Sequence, residues 1–277
     1  LVANGVDVCS TGGDDNDDYY TNQGTSMATP NVTGTAVLLM EHFEDEFGFK
    51  PLAATSKAVM IHTAADGDGT AGPDYETGWG LLNAAAAATL ISDAAAGANA
   101  EEWISQEVYD GDEWTEEFVR SSGDGPITAT IVWTDPAGSA NTGGVDDATA
   151  ALVNDLDVTI TKTGAGAGTF YPWSLDPDHP GDDPTHGGAN HVDNVEVVDI
   201  ATPAAGTYTV HVGVDQGSDP VDLQRFSIVV TGADRDPIGE VVSATQDDSG
   251  DTFVVTLDGS NVKVVVNSST TTYYNAA

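Results

Sequence analysis

The chain has 277 residues, 40% of them hydrophobic, and its 45 acidic residues against 7 basic ones give a net charge of -38. This charge argues against nucleic acid and anionic membranes as partners, because binding to either depends on lysine and arginine. The length favours about two domains, and no segment approaches the roughly 18 consecutive apolar residues of a membrane span.

The acidic residues are scattered along the whole chain rather than gathered in one tail. A scattered excess is typical of proteins adapted to high salt, where screening weakens the repulsion between like charges. The alternative is a functional surface that collects cations or repels anionic partners. Cys9 is the single cysteine, so no disulfide forms within the chain.

Residues 5–8 are the first strand candidate, and an acidic, turn-rich loop follows from Thr11 to Asp18. A helix is predicted from Ser26 onward, because apolar residues then recur every three to four positions, at Val32, Ala36, Leu39, Phe43 and Phe47. A second helix is predicted for residues 53–65. The alanine-rich segment from Ala84 predicts a third helix that ends near Asp93.

Beyond residue 97 the apolar pattern changes to a period of two, which is typical of half-buried strands. Four segments alternate in this way, with inward positions at Ile127, Ala129, Ile131 and Trp133; at Leu156, Val158 and Ile160; at Tyr208, Val210, Val212 and Val214; and at Phe226, Ile228 and Val230. An all-β antiparallel sandwich is therefore predicted for residues 98–233. Residues 234–277 form a β-rich tail with strand candidates at 253–257 and 262–266.

The segment that indicates chemistry is Gly24-Thr25-Ser26-Met27-Ala28-Thr29-Pro30, which leads from a glycine-containing loop into the first long helix. Backbone N–H groups in a first helical turn lack intrahelical partners and favour developing negative charge. A serine placed there can offer its hydroxyl to a substrate and its own N–H to an oxyanion. The alternative interpretation is that Ser26 merely caps the helix, which is a common role for serine.

This string resembles the signature around the catalytic serine of the subtilisin-like serine peptidases, Gly-Thr-Ser-Met-Ala-x-Pro. Residues 4–11 and the segment Gly78-Trp79-Gly80-Leu81-Leu82-Asn83 are similar to the family's flanking motifs, so the resemblance covers roughly residues 1–93. It implies that residues 1–97 are the C-terminal part of a subtilisin-like α/β domain with Ser26 as nucleophile. It also implies a secreted hydrolase that acts on protein or peptide substrates. Asn31 departs from the family, in which many members have histidine after the proline.

The resemblance does not supply a complete catalytic triad. In this family the aspartate and the histidine precede the serine, but only 25 residues precede Ser26 and none of them is a histidine. All six histidines lie downstream, at His42, His62, His179, His186, His191 and His211, and are expected to be solvated or locally hydrogen-bonded. The triad's aspartate and histidine and the oxyanion-hole asparagine are expected in a missing N-terminal part of the same protein. The chain alone is therefore expected to be inactive.

The second region also has a resemblance, to the C-terminal jelly-roll domain that follows some subtilisin-like peptidases. It rests on Trp133-Thr134-Asp135-Pro136, on residues 152–157, on Asn194-Val195-Glu196 and on Gly206-Thr207-Tyr208. Such domains can bind calcium, so the resemblance implies a structural calcium site, with candidate ligands Asp155, Asp157 and Asn194, whose oxygen atoms suit a hard cation. In a chain this acidic, chance pairs of carboxylates are the alternative.

Two hypotheses for function remain open at this stage. In the first, the chain is the nucleophile-bearing portion of a salt-adapted, subtilisin-like serine endopeptidase. In the second, it is a noncatalytic β-sandwich module that binds a protein or sugar surface and follows a degenerate peptidase remnant. An aspartate and a histidine in family motifs upstream of Leu1 would distinguish the first from the second.

Overall fold

The computed structural model describes residues 1–67, 69, 71–97, 101–120, 125–144, 147, 149–214, 223–235, 242–245, 252–258, 261–266 and 270–275. Within these ranges the chain forms helices and antiparallel strand pairs. In chain order the elements are β1 (Val8–Thr11), β2 (Tyr19–Asn22), α1 (Thr25–Phe47), α2 (Ala53–His62), α3 (Ala84–Ala96), β3 (Glu102–Tyr109), β4 (Trp114–Arg120), β5 (Ile127–Trp133), β6 (Leu156–Lys162), β7 (Gly168–Phe170), β8 (Val195–Ile200), β9 (Gly206–Val214), β10 (Gln224–Thr231), β11 (Asp234–Arg235), β12 (Val242–Thr245), β13 (Thr252–Asp258), β14 (Asn261–Val266) and β15 (Thr270–Asn275).

Residues 1–234 form one compact unit whose centre is a sandwich of two antiparallel sheets. The first sheet has the strand order β3-β10-β5-β8 and the second the order β11-β4-β9-β6-β7. The alternation predicted for β5, β6, β9 and β10 is confirmed, because the inward positions of these strands pack into one core between the sheets. Trp133, Tyr208, Phe118 and Phe226 are its largest fully buried side chains.

The helices cover the outer face of the first sheet and bury a second core there. Leu39 and Phe43 of α1, Val59 of α2 and Ile91 of α3 belong to this core. They meet outward-facing side chains of the sheet, at Val132, Val195, Val197 and Val229. The boundary predicted at residue 97 therefore falls inside one compact unit, since the helical region and the sandwich share a core.

The start of the chain differs from the prediction of a strand over residues 5–8. Strand β1 begins at Val8 and pairs with β2, with Val8 opposite Asn22. Val6 is exposed, and Asp7 has a backbone φ of 54°, a left-handed conformation that turns the chain just before the strand. The second helix ends at His62 rather than near residue 65, and the third continues to Ala96.

Residues 235–277 form a separate compact unit. Strands β12, β13, β14 and β15 are hydrogen-bonded in sequence order as an antiparallel sheet, so both predicted strand candidates in this region are confirmed. In the described part of the chain, none of the helices combines the length and apolar character that a bilayer crossing requires.

Candidate functional site

Ser26 is the second residue of α1 and is exposed to solvent. The loop before it is positioned by Gly5, whose carbonyl accepts a 2.8 Å hydrogen bond from the backbone N–H of Gly24. Gly24 has a φ of 140°, a conformation that favours glycine, and its carbonyl accepts the first bonds of the helix from Met27 and Ala28. The glycine of the sequence motif thus sets the entry angle that presents Ser26.

The structure rules out the alternative that Ser26 serves as the cap of α1. The capping position is Gly24, and no side chain caps the helix. Within the described residues, neither the hydroxyl nor the backbone N–H of Ser26 has a hydrogen-bond partner. Pro30 lies four residues on and lacks the N–H that would bond the Ser26 carbonyl. Ser26 therefore has an uncommitted hydroxyl and N–H at a helix N-terminus.

A groove of about 1000 Å³ lies beside this helix start. Gly24 and Thr25 form part of its wall, and Met60, Trp79 and Val195 form other parts. Helix α1 buries one face only, because Val37 and Leu38 on its other side are exposed by 59% and 66%. The start of α1 thus borders an open groove whose wall includes apolar side chains.

No histidine lies at hydrogen-bond distance from Ser26 among the described residues, which include all six. His42 Nε2 lies 2.9 Å from Ser92 Oγ and links α1 to α3. His62 lies between Thr130 and Thr231, with ring nitrogens 2.9 and 3.0 Å from their hydroxyls. Burial lowers the pKa of His62 from 6.5 to about 4, which keeps its ring neutral near pH 7.

His179, His186, His191 and His211 are also hydrogen-bonded. Only His179 has a local partner, Asp176, three residues away. His186 bonds the Tyr171 carbonyl, and His191 and His211 bond residues on other segments. The expectation of solvated or locally bonded histidines is therefore met by His179 and by the exposed His191, whereas His42, His62 and His211 make long-range contacts from partly buried positions. None of the six is placed to act as a base for Ser26.

A second polar cluster lies where the chain enters β6 and β8. Asp155 and Asp157 come together with His191, whose Nδ1 lies 2.8 Å from Asp155 Oδ2 and 3.8 Å from Asp157 Oδ1. Glu196 of β8 is fully buried nearby, and its Oε2 accepts a 2.7 Å hydrogen bond from the Val158 backbone. Burial raises the pKa of Glu196 well above its ordinary value, and the Asp157 and Asp155 carboxylates raise it further.

Asn194, the third predicted ligand, makes a structural contact. Its Nδ2 donates a 2.7 Å hydrogen bond to the Trp133 carbonyl at the end of β5. The neighbouring motif residues are also structural, since Asp135 accepts hydrogen bonds from the backbone of Val153 and Asn154 at 2.7 and 2.8 Å. Sequence analysis missed His191 and Glu196; the signal for Glu196 was a charged residue inside an apolar run, Val195-Glu196-Val197-Val198.

Comparison with known proteins finds similarity chiefly in the first region. Residues 1–80 match the model of the subtilase family. Over 68 residues, the chain is 40% identical to the extracellular serine protease of Serratia marcescens, a match covering 24% of this chain and 6% of that protein. Over 203 residues, it is 25% identical to the serine protease/ABC transporter B family protein tagA of Dictyostelium discoideum, covering 69% of this chain and 11% of that protein.

The chain thus spans about a tenth or less of the length of these curated relatives. Among solved structures, the lipase BlEst2 of Bacillus licheniformis in propeptide form matches 49% of this chain and 22% of its own, at 18% identity and a TM-score of 0.26.

Proposed function

We propose that residues 1–97 carry the nucleophile of a subtilisin-like serine endopeptidase and that Ser26 is that nucleophile. The proposal rests on the position of Ser26 and on its unbonded polar groups. This serine is exposed at the start of α1, with a hydroxyl and an N–H that have no partner in the described part of the chain, inside the segment that matches the subtilase family.

The chemistry of this arrangement is acyl transfer from a peptide substrate. The Ser26 hydroxyl would attack the scissile carbonyl, and the Ser26 N–H at the helix N-terminus would stabilise the oxyanion that forms. A serine hydroxyl is a weak nucleophile until a base removes its proton. The described histidines are committed elsewhere, so the proposal places the base and the residue that orients it in the rest of the same protein.

The groove beside α1 supports this part of the proposal. A chain with a net charge of -38 has an excess of polar groups for its surface, yet it leaves the apolar side chains of Leu1 and Val6 exposed in the lining of this groove. Exposed apolar patches of this kind mark surfaces that another element covers. We propose that the remainder of the peptidase domain covers the groove and completes the active site.

The sandwich is proposed to be a jelly roll that follows the peptidase domain. Numbered along the chain from β3 to β10, its sheets have the orders first-eighth-third-sixth and second-seventh-fourth-fifth. Consecutive strands thus alternate between the sheets, except that β6 and β7 pair within the second sheet, as in the two interleaved Greek keys of a jelly roll. Secretion is also proposed, supported by the name of the extracellular relative from Serratia marcescens.

The test is labelling with a fluorophosphonate, which reacts with activated serines. The complete product of the gene should be labelled and should cleave a denatured protein substrate, and Ser26→Ala should abolish both. Ser10→Ala, which alters an exposed serine on β1, is the matched control and should change neither. The 277-residue chain alone should remain unlabelled.

Two outcomes would count against the proposal. Labelling and turnover of the complete protein that survive Ser26→Ala would assign the chemistry to another residue. A complete protein that folds but shows neither would favour the noncatalytic binding module.

A further inference from the structure

Two segments that are distant in sequence meet at one end of the sandwich, at the entrances to β6 and β8. The carboxylates of Asp155 and Asp157 and the imidazole of His191 each offer one ligand atom, and these atoms lie within 4.8 Å of one another. Oxygen and nitrogen atoms that share one small divalent ion at about 2.1 Å lie about 3–4 Å apart. The His191 Nδ1 atom lies 2.8 Å from Asp155 Oδ2 and 3.8 Å from Asp157 Oδ1, so the three groups are already near that spacing.

Glu196 provides a second, independent observation. It is fully buried on the inner face of β8, and its Oε1 has no hydrogen-bond partner among the described residues. Its Oε2 bonds the N–H of Val158, next to Asp157, and the N–H of Asn190, next to His191, also faces the carboxylate. The Glu196 carboxyl group therefore contacts both segments that carry the cluster, and its Oε1 is a buried polar atom that lacks a compensating partner among the described residues.

We propose that Asp155, Asp157 and His191, supported by Glu196, bind a divalent transition-metal ion of the class of Zn²⁺ or Mn²⁺. The imidazole of His191 indicates a transition-metal ion, since nitrogen donors suit transition metals whereas calcium and magnesium favour oxygen ligands. This differs from the all-oxygen calcium site expected from the sequence, in which Asn194 was the third ligand. The ion would join the segment before β6 to the segment before β8 and fix that end of the sandwich.

The test uses the full chain, freed of metal with a chelator and kept in about 1 M KCl to screen unspecific attraction to the acidic surface. Zn²⁺, Mn²⁺, Ca²⁺ and Mg²⁺ are added separately, and the melting temperature and the calorimetric dissociation constant are measured. Zn²⁺ or Mn²⁺ should bind with a stoichiometry of one and raise the melting temperature. Bound Co²⁺ should show a visible d–d absorption band.

His191→Ala and Asp157→Asn should each weaken Zn²⁺ binding at least tenfold, and Glu196→Gln should weaken it as well. His179→Ala is the matched control, because His179 and Asp176 form a similar pair at 2.9 Å that belongs to no group of three ligands in the part of the chain that the structure describes. It should leave the affinity unchanged. Circular dichroism identifies any variant that fails to fold. If His191→Ala fails to fold, His191→Gln, which keeps a hydrogen-bond donor, takes its place in the comparison.

Three results would overturn the proposal. One is the absence of a stoichiometric site for Zn²⁺ or Mn²⁺. Another is stabilisation by Ca²⁺ that equals that by Zn²⁺ and survives His191→Ala, which would restore an oxygen-only site. The third is equal loss of affinity in His191→Ala and His179→Ala, which would indicate diffuse binding to surface charge.

Discussion

The hydroxyl oxygens of Thr55 and Ser227 lie 2.9 Å apart, and both side chains are fully buried between helix α2 and strand β10. This contact joins residues 172 positions apart. It is one of the polar links in a largely apolar interface between the helices and the outer face of the first sheet, which also contains His62 between Thr130 and Thr231. Thr55→Val keeps the shape of the side chain but leaves the Ser227 hydroxyl buried without a partner.

We therefore expect Thr55→Val to lower the free energy of unfolding by about 1–3 kcal/mol, measured by denaturant titration. The double variant Thr55→Val/Ser227→Ala should lose less than the sum of the single variants, since no hydroxyl is then left unpaired. Thr33→Val, on the exposed face of α1, is the control and should change stability by less than about 0.5 kcal/mol. Additive losses would show that the two hydroxyls do not interact.

His62 should make stability depend on pH. Its pKa falls from 6.5 to about 4 on folding, because burial disfavours the charged ring. The unfolded chain therefore binds a proton more readily, and the stability present above pH 6.5 should be lost as pH falls toward 4, by about 3 kcal/mol.

Carboxylates also titrate in this window, so the measurement is a comparison of the protein with His62→Gln. Glutamine can still donate and accept a hydrogen bond but does not titrate. The difference between the two unfolding curves should change steadily between pH 6.5 and 4. Parallel curves would mean that His62 does not titrate with a lowered pKa.

Gly5 should tolerate no side chain. A Cβ at this position would lie 2.7 Å from the Gly24 carbonyl oxygen and 3.0 Å from Ala28 Cβ, so Gly5→Ala would push the loop that sets the start of α1. We expect a loss of about 1–3 kcal/mol in the free energy of unfolding. Gly34→Ala is the contrasting variant, because Gly34 lies within α1 with open space at its Cβ position. It should gain about 0.5–1 kcal/mol. Equal effects of the two alanines in thermal melts would contradict this account.

Salt should stabilise the protein. Repulsion across a net charge of -38 is screened as ionic strength rises, so the melting temperature should increase between 0.1 and 2 M KCl. Salt also screens favourable ion pairs, but this should lower the free energy of unfolding only slightly. Exposed pairs such as Lys50 and Glu44, whose charged atoms lie 4.0 Å apart, contribute little to stability. A similar rise in NaCl would assign the effect to screening rather than to a bound ion. A flat or falling midpoint would argue against adaptation to high salt.

Periodicity predicted the elements whose inward positions are mostly apolar, including β6, where the buried Lys162 occupies only the last of four such positions. Helix α1 followed from the stripe that includes Leu39 and Phe43, and β5 and β6 followed from strict alternation. Strands β4 and β8 were missed because charged residues interrupt the apolar alternation of their inward faces, at Glu116 and Arg120 in β4 and at Glu196 in β8. Arg120 of β4 donates to the carbonyls of Gly232 and Gly125, and Glu196 of β8 accepts from Val158. Such contacts depend on the packed sheets, so no local pattern indicates them.

The candidate nucleophile was predictable because its motif is contiguous, from Gly24 to Pro30. The polar cluster at the entrance to β6 was predicted only in part, through Asp155 and Asp157. His191 joins these two residues from 36 positions away from Asp155, by way of the sandwich topology. Pairing across that distance is a property of the folded sheets rather than of sequence spacing.

The core shared by α2 and the outer face of the first sheet has a consequence for proteolytic processing. A single cut in the connection between α3 and β3 would sever the backbone, but the two pieces should stay associated through this core. Hydrogen bonds between Thr55 and Ser227, and from His62 to Thr130 and Thr231, would also join them. Such a nicked chain would elute as one species in gel filtration and separate only in denaturant. If the sandwich were released alone, the outer face of its first sheet would become an exposed hydrophobic patch that favours self-association. This patch would consist of Val132, Val195, Val197 and Val229.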